Sequence, residues 1–206
     1  FFFFFEDFYH DSLRALGKQS PESKEDALYN SYERIKKIQK KYLSNRPITF
    51  FVTGILAKKM PDLISKIYKD GNEISCHYNF HDDIHECSRS ELAENLDIAI
   101  ENIYKITGEK PLGFRAPNFA INEDDLWAYE EISKRFRYDS SYKTSHKFDE
   151  LDINKSISNN GEKFNEYYVF CMPIINNLFK IKSGGTYLRL FPVKFILKCL
   201  EKTYKM

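Results

Sequence analysis

The stretch RPITFFVTGILAKKMPDLISKIYKDGNEISCH, residues 46–77, contains two apolar strands with a helix between them. The first strand, RPITFFVTG, is rich in β-branched and aromatic residues and ends at Gly54, and the second, EISCH, is shorter. The intervening helix over 61–70 starts with Pro61 and stops before Gly71, the usual order of these residues around a helix. Apolar strands joined through a helix are typical of a parallel sheet covered by helices.

The same alternation of strand and helix extends over most of the chain. Ser88 and Glu91 predict a capping box at the start of a helix that Gly108 closes. We further predict strands at 1–5, 113–117, 136–141 and 167–174, helices over 27–43, 123–134 and 192–203, and a loop over 147–166. We therefore expect one α/β domain over 1–206, with either a barrel or an open doubly wound sheet. No GxGxxG or GxxxxGK[ST] follows the first strand, which excludes the usual nucleotide-binding form of the open sheet.

Composition and charge narrow the classes of partner. The 31 basic and 30 acidic residues leave a net charge of +1, which gives no general attraction to nucleic acid or to an anionic membrane. No apolar run approaches the roughly 20 residues that cross a bilayer. The four cysteines lie far apart and predict neither a disulfide framework nor a structural zinc site. We expect a cytoplasmic protein without a membrane span or a nucleic-acid partner, and the sequence leaves its oligomeric state open.

Polar side chains follow several predicted strands at their carboxyl ends. Glu6 and Asp7 follow the predicted strand 1–5, and His77 ends the EISCH strand. Arg115 lies in the predicted strand and exit loop 113–117, and Asp139 lies near the end of the predicted strand 136–141. Parallel α/β folds build their functional sites at this edge of the sheet. The sequence therefore predicts that these side chains lie near one another.

The segment GNEISCHYNFHDDIHE, residues 71–86, spaces His77, His81 and His85 four residues apart. On a helical turn, residues i and i+4 share a face, so two imidazoles can reach one ion. A catalytic zinc site usually has three protein ligands and one open position, and Glu6 or Asp7 would supply the carboxylate. The spacing alone leaves a second interpretation open, in which the three histidines are simply exposed in a polar segment.

Several segments together resemble the NodB-homology polysaccharide deacetylases, of the carbohydrate esterase type. They are EDFYH (6–10), ITFFVTG (48–54), KIYKDGNEISCHYNFH (66–81), ITGEKPLGFRAPNF (106–119), YDSS (138–141) and SGGTYLRLFP (183–192). The nearest resemblance is to a bacterial branch linked to exopolysaccharide export loci, piecemeal over 1–10, nearly continuous over 47–141 and resumed at 183–200. It implies a distorted, incomplete (β/α) barrel that hydrolyses the N-acetyl amide of amino sugars in a polysaccharide or its precursor.

The resemblance also implies a divalent metal, most often zinc with cobalt as the alternative, held by one aspartate and two histidines. His77 and His81 match the histidine ligands, whereas His85 lies outside the motif and is expected to be solvated or to support a ligand. Asp7 is the preferred carboxylate ligand and Glu6 the alternative. Because neighbouring residues of a regular strand face opposite ways, we expect only one of these two to reach the metal.

Further residues acquire roles from the same resemblance. Arg115 matches an arginine that orients the catalytic carboxylate, and Pro117 and Phe119 match the loop that shapes the groove wall. Tyr78 is a further expected contact with the glycan. Asp139 matches a position that supports the arginine or a catalytic histidine, although a cap on the serine turn that follows it is an equal alternative.

Two positions depart from the family pattern. The family's proton-accepting aspartate falls at Phe4, which cannot accept a proton, and the late histidine that acts as the acid has no counterpart, since neither His10 nor His146 has a matching context. The chain is then either a deacetylase whose sequence is incomplete at its ends and lacks its C-terminal strands, or a catalytically impaired carbohydrate-binding relative that keeps the metal site. A metal-independent amidase of the same fold, such as an allantoinase, is a third possibility, and the HxxxH spacing argues against it.

Overall fold

Strands and helices alternate along the residues that the computed structural model describes, which are 2–5, 17, 25–121, 125–144, 164–166, 169–173, 180–182 and 194–195. The strands are β1 Phe2–Phe5, β2 Thr49–Val52, β3 Glu73–Cys76, β4 Gly113–Phe114, β5 Tyr138–Asp139, β6 Lys143–Thr144, β7 Asn165–Glu166, β8 Val169–Pro173 and β9 Lys180–Lys182. The helices are α1 Glu25–Tyr42, α2 Gly54–Lys59, α3 Pro61–Lys69, α4 Arg89–Thr107 and α5 Leu126–Ser133, with 3₁₀ turns at Ile84–Glu86 and Pro117–Phe119.

The main sheet has six parallel strands in the order β1-β2-β3-β4-β5-β7. Because the strands of this sheet follow one another in chain order, the sheet winds in one direction as a (β/α) barrel does, whereas a doubly wound sheet reverses its direction. Among the described strands, β1 and β7 form the two edges of this sheet and do not pair with each other. The predicted α/β fold with an incomplete barrel is therefore confirmed.

A smaller sheet follows the main one in the chain. In it β6 runs parallel to β8, and β8 runs antiparallel to β9. The strand predicted at 167–174 corresponds to β8, but the loop predicted over 147–166 is wrong at its end, because residues 165–166 form β7 and pair with β5. Of the helix predicted over 192–203, only 194–195 lie within the described residues, and their backbone is helical.

The core lies between the main sheet and the helices. Its centre consists of side chains that are at most 5% exposed on two strands and two helices, namely Phe50, Val52, Ile74, Cys76, Leu63, Ile67, Leu92, Leu96, Ala99 and Ile103. The predicted ends of α4 are confirmed. The Ser88 side chain accepts a hydrogen bond from the Glu91 amide, the Glu91 carboxylate accepts one from the Ser88 amide, and Gly108 ends the helix in the left-handed conformation at φ 75°.

Gly54 begins the helix α2, which the sequence did not predict, and does not close a strand. A Cβ on Gly54 would lie 2.7 Å from the Ala99 Cα of α4 and 2.6 Å from the Asn79 side-chain oxygen. The missing side chain therefore lets α2 pack directly on α4 and fixes the start of the loop that follows β3. Within the described residues, no helix combines the length and the apolar character needed to cross a bilayer.

Candidate active site

His77 directly follows β3, and its ring is held by the neighbouring strand. The His77 amide donates to the Val52 carbonyl at 2.8 Å, and the Nδ1 atom of the fully buried ring lies 2.6 Å from the Arg115 carbonyl oxygen. Because a carbonyl oxygen only accepts, Nδ1 carries the proton, and a neutral His77 then presents the lone pair of Nε2. Histidines that bind a metal commonly have this arrangement, with one ring nitrogen on a backbone carbonyl and the other on the ion.

The loop after β3 brings His81 next to His77. The two ring centres are 5.3 Å apart, with their planes at 67°. The chain reverses at Tyr78, whose φ is 65°, and the loop is tied to α2 by hydrogen bonds from the Gly54 amide to the Tyr78 carbonyl at 2.9 Å and from the Ile55 amide to the Asn79 carbonyl at 3.0 Å. Two imidazoles on one tetrahedral zinc ion, with Zn–N bonds of ~2.0–2.1 Å, have ring centres about 5 Å apart, so the pair fits such an ion.

The expected carboxylate ligand, Asp7 with Glu6 as its alternative, lies outside the described residues, as do His10 and His146. Over the part of the chain that is described, no group of three His, Cys, Asp or Glu side chains is arranged to hold a metal. Burial raises the pKa of the neighbouring Cys76 thiol to about 12. The described residues thus bring together the two histidines that the resemblance implies as metal ligands.

Position 4, where the family's proton acceptor is expected, belongs to β1. The Cα of Phe4 pairs with that of Phe51 on β2. The Phe51 ring lies under the Arg115 guanidinium, whose central carbon is 4.4 Å from the ring centre. The register therefore places position 4 beside the strand that contacts Arg115.

Arg115 follows β4 and is 5% exposed. Its Nε donates to the Ser140 carbonyl at 2.8 Å and its Nη2 to the Ser140 Oγ at 2.6 Å, while the guanidinium stacks between Phe51 and Phe119, at 4.4 and 5.6 Å. Charge-assisted bonds and cation–π contacts of this kind fix the planar group in one orientation. The side chain therefore joins the carboxyl ends of β2, β4 and β5.

Asp139 is fully buried and caps the serine turn that follows β5, the local role left open by the sequence. Its carboxylate accepts hydrogen bonds from the Ser141 amide and from the Ser141 Oγ, both at 2.7 Å. The Ser141 Oγ in turn accepts from the Ala116 amide at 2.7 Å. Through Ser141, Asp139 thus positions the residue that follows Arg115. The sequence patterns had singled out Asp139 but neither Ser140 nor Ser141, because small polar residues at a strand end carry no signal of their own.

The exit loop of β4 places Pro117 and Phe119 next to Arg115. Both side chains are buried, and Phe119 is 9% exposed. Asn118 and Phe119 have φ of 55° and 53°, which non-glycine residues adopt at a cost of order 1–3 kcal/mol and which recurs at functional sites. The described structure thus makes Phe119 a cover for the guanidinium, and its contact with a glycan stays a prediction.

Tyr78 does not line a groove. It is 2% exposed, and its hydroxyl donates to the Cys87 sulfur at 3.8 Å. Burial also raises the pKa of this phenol, so the group stays neutral. The positive φ at Tyr78 turns the ring into the core, and this reversal of the chain could not be inferred from the motif.

Two further polar features lie at the same edge of the sheet. Thr53 follows β2 beside His77, and its Oγ1 is fully buried without a hydrogen-bond partner. In the other feature, the ring of His85 lies 2.9 Å from the Asp125 carboxylate, Nδ1 to Oδ1. Sequence reasoning left His85 without a partner, since Asp125 is 40 residues away along the chain.

Two of the curated proteins that are similar to the chain carry deacetylase in their names. The peptidoglycan deacetylase-like protein FGM2 of Gibberella zeae is 32% identical over 94 residues, which are 46% of this chain and 27% of that protein. The peptidoglycan-N-acetylmuramic acid deacetylase PdaA of Bacillus subtilis is 27% identical over 119 residues, 48% of this chain and 45% of that protein. The chain thus spans less than half the length of these curated relatives.

A structural superposition and a match to a family model agree with this similarity. A crystal structure from Mycobacterium smegmatis, assigned to the polysaccharide deacetylases, superposes with a TM-score of 0.58 over 81% of this chain and 57% of that one, at 23% identity. At this identity the likeness bears on the fold alone. The family model described as polysaccharide deacetylase matches residues 25–136, just over half of the chain. That range contains His77, His81 and Arg115. The chain therefore belongs to the polysaccharide deacetylase family.

Proposed function

We propose that the chain is a metal-dependent deacetylase, which hydrolyses the N-acetyl amide of amino sugars in a polysaccharide or in its precursor. The observation that carries the proposal is the pairing of His77 and His81, with the Nδ1 proton of His77 fixed by the Arg115 carbonyl. The family match supports the reaction class. The curated relative named for N-acetylmuramic acid supports an N-acetylated amino sugar as the substrate.

His77 and His81 would hold the ion, together with Asp7 or, as the alternative, Glu6. Lewis acidity toward the acetyl carbonyl and toward water is what a divalent ion, zinc or cobalt, supplies when it is bound. The Ser140 carbonyl and Oγ hold the buried Arg115 guanidinium, which by the resemblance would orient a catalytic carboxylate, and the Asp139–Ser141 turn keeps the β4 exit loop in register with β5. In the overall reaction the amide C–N bond breaks, the oxygen of water bonds to the acetyl carbon, and the sugar nitrogen gains a proton.

The second candidate function is carbohydrate binding without catalysis. It is favoured by one observation, the phenylalanine at position 4, which pairs in register with Phe51 where a proton acceptor is expected. Such a relative would keep the two histidines and the groove but would not hydrolyse the amide. The retained histidine pair argues against the third possibility, a metal-independent amidase.

The metal site is tested by elemental analysis and anomalous scattering of the purified protein. We expect about one divalent ion per chain, bound by three protein ligands. It should be lost in His77→Ala/His81→Ala and in one of the pair Asp7→Asn and Glu6→Gln, which identifies the carboxylate ligand. A parent protein that binds no divalent ion would refute the metal-dependent function.

The activity is tested by acetate release from N-acetylated glycans, in the full-length protein and in its Phe4→Asp variant. A deacetylase releases acetate, and faster once position 4 can accept a proton. If neither protein releases acetate while both bind glycan and metal, the carbohydrate-binding function replaces the enzymatic one. From the resemblance alone, we also propose an exopolysaccharide precursor as the substrate and the cytoplasm as the compartment.

A further inference from the structure

The His85–Asp125 pair connects the two loops that carry the candidate site. His85 lies on the loop that follows β3 and carries His77 and His81. Asp125 lies beyond the loop that follows β4 and carries Arg115. Since β3 and β4 are parallel neighbours, both loops leave the same edge of the sheet, and the pair links them there.

In the pair, Asp125 binds one nitrogen of the His85 ring, and the His85 side chain remains partly exposed. The Asp125 side chain is 8% exposed, whereas that of His85 is 40% exposed. Their 2.9 Å contact joins His85 Nδ1 to Asp125 Oδ1, and because a carboxylate only accepts, Nδ1 donates. This bond fixes the tautomer and the orientation of the ring, so that a neutral His85 presents Nε2 as a hydrogen-bond acceptor.

Asp125 serves this ring in place of the helix that it precedes. It occupies the N-cap position of α5, where an aspartate side chain normally accepts a hydrogen bond from the first turn, worth about 1 kcal/mol. In this helix the Asp125 side chain makes no such bond. A nearly buried carboxylate therefore holds a half-exposed imidazole on the loop that follows β3.

We infer that His85, oriented by Asp125, is a glycan-binding residue on the rim of the active site. Its Nε2 accepts a hydrogen bond from a hydroxyl group of a sugar unit that flanks the unit bound at His77 and His81. The class of ligand, an N-acetylated glycan, rests on the proposed function. The role concerns affinity for the chain of sugars and requires no part in the cleavage of the amide.

The test is the dissociation constant of the full-length protein for the hexamer of N-acetylglucosamine, measured by calorimetry, together with the melting temperature. His85→Gln keeps an amide that can reach Asp125 but removes the imidazole, and Asp125→Ala releases the ring. We expect each to weaken binding about 5–10-fold, the value of one hydrogen bond. The double variant should bind the hexamer as well as the single variant with the lower affinity does, because the two residues act as a unit. Glu101→Gln, which breaks the exposed Glu101–Lys105 ion pair on α4, is the control and should bind as the parent does.

The outcomes separate this inference from the proposed function. Intact binding that depends on His85, without acetate release, would leave the inference standing and refute the enzymatic function. Binding of the hexamer that is unchanged in His85→Gln, or no binding by the parent protein, would overturn the inference. So would a drop in melting temperature in His85→Gln with parental affinity, since the pair would then only connect the two loops.

Discussion

Replacement of Arg115 by lysine tests whether the planar guanidinium group of Arg115 holds the ends of β2, β4 and β5 together. Lysine keeps the charge but cannot bond both the Ser140 carbonyl and the Ser140 Oγ in the same fork geometry, and it loses the stack on Phe51. One lost bond to a charged group costs about 1.5–3 kcal/mol. The lost stack adds about 0.5–2 kcal/mol. We therefore expect Arg115→Lys to lower the free energy of unfolding by about 2–4 kcal/mol, allowing for partial compensation by the ammonium group.

The assay is urea unfolding at pH 7, followed by circular dichroism. Arg137→Lys is the matched control, since Arg137 is also next to a strand of the main sheet but is exposed. The control should stay within about 0.5 kcal/mol of the parent protein. If Arg115→Lys also stays within about 0.5 kcal/mol of the parent, the contacts with Ser140 and Phe51 do not stabilise the fold and our reasoning about this residue is wrong.

Further predictions concern Glu131, Gly113 and Thr53. Hydrogen bonds from Lys134, and then from Arg89 and Arg135, lower the pKa of Glu131 to about 2, so its stabilisation is present above pH ~4.5 and fades as the pH falls toward 2. Glu131→Gln should thus cost ~1–3 kcal/mol in urea unfolding at pH 7, a range reduced because two partners are half-exposed, and much less at pH 2.5, whereas an equal cost at both would contradict the assignment. Gly113→Ala should lower the melting temperature, because its Cβ would lie 2.0 Å from the Tyr138 ring, and unchanged melting would show that the ring moves aside freely. Thr53→Val should leave the free energy of unfolding unchanged or raise it by up to ~1–2 kcal/mol, because it removes a buried hydroxyl without a partner, and a clear loss in chemical denaturation would refute this.

The local patterns of the sequence predicted the elements that short-range rules govern. The capping box of Ser88 and Glu91, the closing Gly108 and the apolar strand before His77 each depend on a few consecutive residues, and the structure has all of them. Helix α2 was not predicted, because Gly54 is disfavoured inside helices by propensity. Only its packing on Ala99, far along the chain, explains why a glycine begins one there.

The candidate site was predictable where a motif names its members and not where the partners are distant. The motif pointed to His77, His81 and Arg115, and the structure places all three at one edge of the sheet. Tyr78 was predicted to contact the glycan, yet a positive φ sends its ring into the core. The partner of His85 depends on a tertiary contact that no spacing rule encodes.

The anchor of the His77 ring is a main-chain atom, the Arg115 carbonyl. Every amino acid at position 115 supplies the same carbonyl, so this acceptor is insensitive to mutation and can be lost only if β4 shifts relative to β3. The guanidinium of the same residue, by contrast, disappears with a single codon change. Under relaxed selection, the orientation of the His77 ring should therefore outlast the arginine, and a descendant that has lost Arg115 would still hold the ring in place.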